Sequence, residues 1–339
     1  FNVFLYAVAL LFLSVVLAMN ACGTQYYVGD GTDGALTITS TRTEDSLKSN
    51  ITEQASSGQK NITVNSASGF SSGNWVFVIQ IKGTGAGNYE FAKIDSITSN
   101  TLTMKENLTN TYQSTGAQVI KVKQYSSVTV DFGGVWTASA WDGTVGGILV
   151  AMVNGDVTLN NDGSITMAGK GFRGGNGKWT NNYEEGLITY LSFQGESTNG
   201  DGTQSTSANG QGGGGASTGN RTTTPSAAGG GGGGYGTSGN NGTGMNGGIG
   251  GTGGETAGVA TLENKMLFGG GGGGSGNTNY LPVDNGGKGG GIIIFVVGGN
   301  ITLNTGSFSV KGNKGNNDQS DNTGGAGGGA GGSIRLICA

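Results

Sequence analysis

Two runs of six glycines, Gly229 to Gly234 and Gly269 to Gly274, sit inside a glycine-rich field that extends from about Gly195 to Gly291. Such a run has no side chain to bury and a large backbone entropy to lose, so it orders only where flanking segments hold it. With 74 glycines and a hydrophobic content of 34% in 339 residues, any core must be thin and layered. Only 2 prolines occur and glycine keeps no triplet register, which excludes a collagen-like array and a proline-rich linker.

The flanks carry an internal repeat. Residues 146–171 read GGILVAMVNGDVTLNNDGSITMAGKG, and residues 290–315 read GGIIIFVVGGNITLNTGSFSVKGNKG. With one gap they share an apolar strand after Gly-Gly, a Gly-Asp or Gly-Asn turn, a V/I-T-L-N strand and a third short strand. A further copy opens at Gly331 as GGSIRLICA. Short strands joined by tight turns cannot each bury a face alone, so they are expected to stack as a β-solenoid or a sandwich layer. The glycine field is then an excursion between two repeats. Apolar islands at residues 183–193, Tyr235, Met245, Ile249, residues 262–268 and residues 280–283 are expected to anchor it.

Residues 1–21 form a nearly unbroken apolar run, which fits a secretory signal or a retained assembly segment. The stretch from Leu17 to Cys22 resembles a bacterial lipobox, with polar Asn20 where a small residue is usual. The start also resembles a processed type IV pilin, although Leu5 stands where that family has a glutamate. Cys22 and Cys338 could pair, remain separate thiols, or leave Cys22 lipid-modified.

Residues 26–131 alternate apolar and polar side chains between turn signals, the pattern of an antiparallel β domain. Strands are expected at residues 35–41, 61–65, 75–82, 89–98, 101–105, 118–123 and 127–131. Val76, Val78 and Gln80 should face one way, and Trp75, Phe77, Ile79 and Ile81 the other. The segments ITVNSASGFSSGNWVFVIQ and YEFAKIDSITSNTLTM resemble the small β-barrels of phage tail fibres and bacterial surface proteins, implying an extracellular scaffold module.

Composition removes several chemistries. Histidine is absent, which excludes Ser-His-Asp and Cys-His catalysis and histidine-containing zinc sites. Lys and Arg are scattered in a chain of net charge −4, so no nucleic-acid partner is expected. No G-K-S or G-K-T ends any glycine loop, and no nucleotide or other cofactor is expected. Carboxylates that could serve glycoside hydrolysis are Asp131, Asp142, Asp156, Asp162, Glu184 and Glu185. Asp142, Asp156 and Asp162 sit beside glycine and read as turn residues, while Glu184-Glu185 reads as an exposed pair. Acidic turns at Asp30 to Asp33 and at residues 317–321 could hold calcium, but solvated turns account for them and no metal site is assigned. Trp136, Trp141 and Trp179 could stack on sugars. The odd spacing of Trp136 and Trp141 puts them on opposite faces, which favours packing.

Asn-X-Ser/Thr sequons at Asn50, Asn61, Asn107, Asn220 and Asn241 are candidate N-glycosylation sites, whereas Asn300 opens a repeat strand and is set aside. GGGGGGYG and GGAGGGAGGSIRL resemble the glycine-rich modules of phage tail-tip adhesins and of the anaplastic lymphoma kinase ectodomain. That resemblance implies polyglycine II helices, extended chains with a three-residue period that bond laterally through backbone groups.

The expected architecture is all-β: an apolar signal or assembly segment at 1–21, a small β-barrel or sandwich domain at 26–131, and stacked repeats at 132–339. The stack carries a polyglycine II insertion at about 195–291. The expected function is a non-enzymatic structural subunit of an extracellular filament or cell-surface appendage, its partners further copies of itself. A surface adhesin for a glycan or protein receptor is the alternative, and a carbohydrate-active enzyme the third reading. A membrane is expected to be involved only through residues 1–21, if that segment is uncleaved.

Overall fold

Residues 26–44, 46–179, 190–218, 226–277, 283–316 and 324–338 are described by the computed structural model. The first strands are β1 (Ala35–Ile38), β2 (Thr41–Glu44), β3 (Lys48–Asn50), β4 (Asn61–Thr63), β5 (Trp75–Gln80), β6 (Tyr89–Thr98), β7 (Thr101–Met104) and β8 (Ala117–Lys121). Next come β9 (Lys123–Tyr125), β10 (Ser127–Val130), β11 (Val135–Ala138), β12 (Ile148–Val153), β13 (Val157–Asn160) and β14 (Ser164–Thr166). Two-residue strands follow: β15 (Lys178–Trp179), β16 (Tyr190–Leu191), β17 (Ser217–Thr218), β18 (Ala227–Ala228), β19 (Gly244–Met245) and β20 (Gly276–Asn277). The chain closes with β21 (Ile292–Val297), β22 (Ile301–Asn304), β23 (Ser307–Ser309) and β24 (Ser333–Cys338). The fold is all-β, with no helix among the described residues.

Three parallel sheets, ordered β1-β10-β13-β22, β2-β11-β14-β23 and β24-β21-β12-β9, make a β-solenoid in which successive turns add one strand to each sheet. The sequence repeat sets the register. Ile148 to Val153 lie beside Ile292 to Val297, and Val157 to Asn160 beside Ile301 to Asn304. Ser333 to Cys338, the third copy, pair in turn with Ile292 to Val297. The shared asparagine of V/I-T-L-N ties the turns together at one corner. Asn304 Nδ2 donates to Asn160 Oδ1 at 3.0 Å, and Asn160 Nδ2 to Asp131 Oδ1 at 3.0 Å.

The two continuous apolar strands β12 and β21 are buried on both faces, which is why neither alternates. Inward, Leu149, Ala151, Ile293 and Phe295 join Trp136, Leu159 and Ile165 in the solenoid core. Outward, Ile148, Val150, Ile292 and Ile294 meet Phe77, Ile79 and Ile120 of the antiparallel sheet. That sheet, ordered β3-β8-β5-β6-β7-β4, keeps Val76, Val78 and Val119 for its own core with Ile62, Leu102 and Tyr112. A bridge between Ile51 and Val64 brings its two outer strands together. The alternation of β5 thus divides its side chains between two cores as the sequence indicates.

The expected boundary at residue 131 is corrected. Strands β1, β2, β9 and β10, assigned from sequence to the antiparallel domain, pair in parallel within the solenoid. The antiparallel sheet is an insertion between β2 and β9. Alternation reports that a strand is half-buried, but not which partner covers it, so strands of two modules look alike.

The glycine field also exceeds its expected limits. Residues Gly229 to Gly234 donate their N–H groups in order to Thr243, Gly325, Gly214, Asn240, Gly328 and Gln211. Every third residue therefore returns to the same neighbouring segment. Gly269 to Gly274 behave alike, donating to Gly290, Gly234, Glu196, Gly287, Gly231 and Phe193. The bundle draws in Arg173 to Gly177 on one side and Gly324 to Gly332 on the other, both outside 195–291. Close approach explains the glycines: a Cβ on Gly273 would lie 1.7 Å from the Gly214 carbonyl oxygen, and on Gly230 2.0 Å from that of Gly273.

Of the expected anchors, Met266 and Phe268 are fully buried against the solenoid, and Tyr235 bonds Ser333 Oγ at 2.6 Å. Met245 and Ile249 do not anchor, being 44% and 58% exposed. They sit on an outer segment of the bundle, with no apolar layer over them among the described residues. Residues 183–189 and 280–282 lie outside the described residues, as do residues 1–21 and Cys22.

Candidate functional site

The two insertions meet on one flank of the solenoid, and a cluster of charges stands at the meeting point. Glu196, from the glycine bundle, has a side chain only 2% exposed. Its Oε1 accepts from Lys82 Nζ at 3.1 Å, Trp141 Nε1 at 3.0 Å and Arg173 Nη2 at 3.2 Å. Oε2 accepts from the Arg173 backbone N–H at 3.0 Å and from Nε at 2.9 Å. Lys82 follows β5 of the antiparallel sheet, Trp141 follows β11 of the solenoid, and Arg173 opens the bundle. One carboxylate therefore gathers three parts of the chain.

Asp201 completes the cluster. Its Oδ1 accepts from Lys82 Nζ at 3.0 Å and from Arg173 Nη2 at 2.9 Å. Desolvation raises its pKa, but the hydrogen bond from Lys82 and the charges of Lys82 and Arg173 outweigh that and hold the group below the ordinary carboxylate range. Lys82 Nζ also lies over the Trp141 ring, 5.5 Å from its centroid.

A groove of about 620 Å³ opens over this cluster. Asp142, Asn176, Asp201, Asn285 and Lys288 line it with exposed polar side chains, and half-buried Phe193 adds an aromatic wall. Its remaining wall includes the glycine backbone at Gly174, Gly175, Gly202 and Gly286. Backbone hydrogen bonds of the bundle hold part of that lining, with the Gly175 N–H on the Gly272 carbonyl and the Gly286 N–H on the Gly175 carbonyl.

The structure scatters the carboxylates singled out from sequence. Among the described ones only Asp142 reaches the groove, and its Oδ1 accepts the N–H groups of Thr144 and Val145 in a turn. Asp156 Oδ1 accepts the Asn300 N–H at 2.7 Å, and Asp162 occupies a left-handed turn position with φ 66°. Asp30 Oδ1 accepts the Thr32 N–H, while Asp33 pairs with Lys123 Nζ at 2.9 Å. Glu184, Glu185 and the acidic turn at 317–321 lie outside the described residues. No group of three or more potential metal ligands occurs among the described residues.

Trp136 is fully buried in the solenoid core, and Trp141 is 3% exposed on the opposite side, in the layer facing the antiparallel sheet. Neither offers a free face for stacking; the Trp179 side chain is outside the described set. Among the sequons, Asn61, Asn107 and Asn241 are exposed and Asn50 is half-buried. Asn241 Oδ1 already accepts the Gly253 N–H at 2.8 Å, and Asn220 is not described. Cys338 is exposed on β24 and has no disulfide partner among the described residues, which do not include Cys22.

Lys82, Arg173, Glu196 and Asp201 carry no sequence signal as a set. Glu196 and Asp201 stand in a polar, glycine-rich stretch, and Lys82 is 114 residues before Glu196. A second buried carboxylate, Glu44, is 5% exposed and accepts from Tyr125 Oη at 2.8 Å and Trp136 Nε1 at 3.3 Å. It lies within the solenoid wall, away from the groove.

No protein-family model matches the sequence, and no curated protein is similar to it. Solved structures that align include the tailspike protein gp49 of Pseudomonas phage LKA1, 13% identical over 39% of this chain and 28% of that one, with a TM-score of 0.25. The tailspike gp61 of Pseudomonas phage phi297 is 16% identical over 36% and 24%, with a TM-score of 0.21. Tailspike gp54 of Acinetobacter baumannii bacteriophage AP22, solved with a capsular saccharide, is 9% identical over 40% and 30%, with a TM-score of 0.22. The chain thus aligns with less than a third of each tailspike's length.

Proposed function

We propose that the chain is a non-enzymatic, extracellular surface scaffold that binds a glycan or protein receptor in the groove over Glu196. The observation that carries this reading is the division of labour in the groove. Its structural charges are mutually paired, while Asn176, Asn285, Asp142 and Lys288 remain exposed along the rim. Binding is favoured over hydrolysis because an acid catalyst must arrive protonated. Glu196 instead receives five donor contacts, and Asp201 is held ionised by two cations. We read the bundle as a polyglycine II array, supported by its three-residue hydrogen-bond period.

Binding of the purified chain to glycan arrays and to receptor-bearing cell surfaces tests this reading. Asn285→Ala combined with Asp142→Ala should weaken binding about tenfold or more, the scale of one or two lost polar contacts. Unchanged binding by that variant would remove the groove from the function.

A second reading, a filament subunit, rests on the outer edge of the solenoid. Strands β22 and β23 carry no charge or proline to discourage a further parallel strand, and Leu303 is 51% exposed there. Electron microscopy of the chain would show regular fibres under this reading, lost in Leu303→Lys. Discrete particles at high concentration would sink it.

A further inference from the structure

Three groups in the junction have chemistry that ion pairing does not exhaust. Lys82 Nζ is within 3.0 Å of Asp201 Oδ1 and 3.1 Å of Glu196 Oε1. The lysine side chain is 11% exposed and that of Glu196 2%, with the Trp141 ring beneath the amine. An amine and a carboxyl group held at contact distance in fixed orientation gain much of what a bimolecular encounter would cost. Most lysine–carboxylate pairs are inert because the amine is protonated and the acid ionised. Here a third group able to move protons touches the amine directly.

We propose that Lys82 and Asp201 condense to an intramolecular isopeptide bond, with Glu196 carrying the protons. Glu196 takes one proton from the Lys82 ammonium and passes it to the Asp201 carboxylate, which leaves a neutral amine facing a carboxylic acid. The nitrogen lone pair attacks Asp201 Cγ and the Nζ–Cγ bond forms. Arg173 Nη2, 2.9 Å from Asp201 Oδ1, is placed to hold the negative oxygen of the tetrahedral species. Glu196 then removes a second proton from nitrogen and gives it to the hydroxyl. The Cγ–O bond breaks, water leaves, and Glu196 is again a carboxylate. Ammonium plus carboxylate become amide plus water, with no oxidant and no net proton change.

Two features favour the product. Condensation replaces the Lys82 ammonium, 11% exposed, and the Asp201 carboxylate, 67% exposed, with a neutral amide, which relieves desolvation chiefly at the lysine. Because the cations hold Asp201 ionised, the proton it needs must be delivered locally, and Glu196 is the group in contact with the donor. The bond would link residues 119 apart and fasten the antiparallel insertion to the glycine bundle.

Intact mass spectrometry of the purified full chain, followed by peptide mapping, decides the matter. The wild type is expected to lack one water, about 18 Da, and to yield a branched peptide joining Lys82 to Asp201. Lys82→Arg and Asp201→Ala should each show their full sequence mass. Asp201→Asn should form the same branched peptide with loss of ammonia, about 17 Da. A wild-type chain that keeps its full mass after prolonged incubation would overturn the proposal, whatever the variants do. So would a missing water that persists in Lys82→Arg, since a succinimide at Asp201-Gly202 loses the same mass without a cross-link. Glu196→Ala chains that remain uncross-linked while retaining the wild-type circular dichroism spectrum assign the proton transfer to Glu196; efficient cross-linking in them removes that role.

Discussion

The solenoid and the glycine bundle lie against each other and reach close packing by opposite means. In the solenoid, side chains from successive turns stack inward: Trp136 and Phe295 have ring centroids 5.1 Å apart, and Phe295 and Phe308 6.1 Å. The backbones stay apart at sheet spacing and the interior is filled by large apolar groups. In the bundle the interior is mostly backbone, with a few small or polar side chains such as Ser192, Gln211 and Ala216 buried among the glycines, and one segment's carbonyl oxygens occupy the space where the next segment's Cβ would stand. Specificity in the first case is the shape of a core, and in the second it is hydrogen-bond direction repeated every three residues. The two regions should therefore fail under opposite substitutions.

The largest expected effect is a hole in the solenoid. Phe295→Ala removes a fully buried ring that touches both Trp136 and Phe308 and should cost about 3–5 kcal/mol. The midpoint of chemical denaturation measures it. A loss below about 1 kcal/mol would mean that the solenoid collapses around cavities and is less side-chain-determined than its packing implies.

Next is the contact between the regions. Glu196→Ala takes one acceptor from Lys82, which keeps Asp201 and the Gly143 carbonyl, and leaves the buried Trp141 indole N–H without its acceptor, at a cost of roughly 1–3 kcal/mol. Arg173 is better exposed and keeps Asp201, so it adds less. Beyond the magnitude, the variant should unfold in two steps, since the cluster joins insertion, solenoid and bundle. A single cooperative transition, followed by tryptophan fluorescence and by circular dichroism, would show that the buried layer around Phe268 suffices to couple them.

How much of this was readable beforehand divides along the same line. The solenoid repeat was legible because GGILVAMV and GGIIIFVV each begin at a glycine pair and run six apolar residues, which only a doubly buried strand requires. The faces of β5 were legible from strict alternation, Val76 and Val78 against Phe77 and Ile79. Strands β1 and β2 were not, because their parallel partners come from segments beyond an insertion, and local pattern carries no information about partner identity. The junction was illegible for a related reason. Lys82, Trp141, Arg173 and Glu196 are ordinary residues in ordinary local settings, and only the return of two long excursions to one flank puts them in contact. In the bundle, glycine content suggested close packing but not membership: residues 324–332 belong to it, whereas Met245 and Ile249 stand outside its packed interior.

The smallest expected effects are the sharpest test of backbone packing, because they compare two glycines in one bundle with the same substitution. A Cβ on Gly273 would stand 1.7 Å from the Gly214 carbonyl oxygen, and nothing there is a flexible side-chain end that could move aside. Gly273→Ala must push two hydrogen-bonded segments apart and should cost about 1–3 kcal/mol. Gly232 differs only in what it faces: its nearest neighbour for a Cβ is the Asn240 nitrogen at 3.4 Å, ordinary contact distance, and its φ is not positive. Gly232→Ala should therefore be neutral or stabilise the chain by about 0.4–1 kcal/mol, through the reduced entropy of the unfolded state. Denaturation midpoints of the two variants, measured side by side, should move in opposite directions or differ by at least about 1 kcal/mol. Equal losses would mean that the bundle depends on glycine for backbone freedom in general and not on closeness at particular positions.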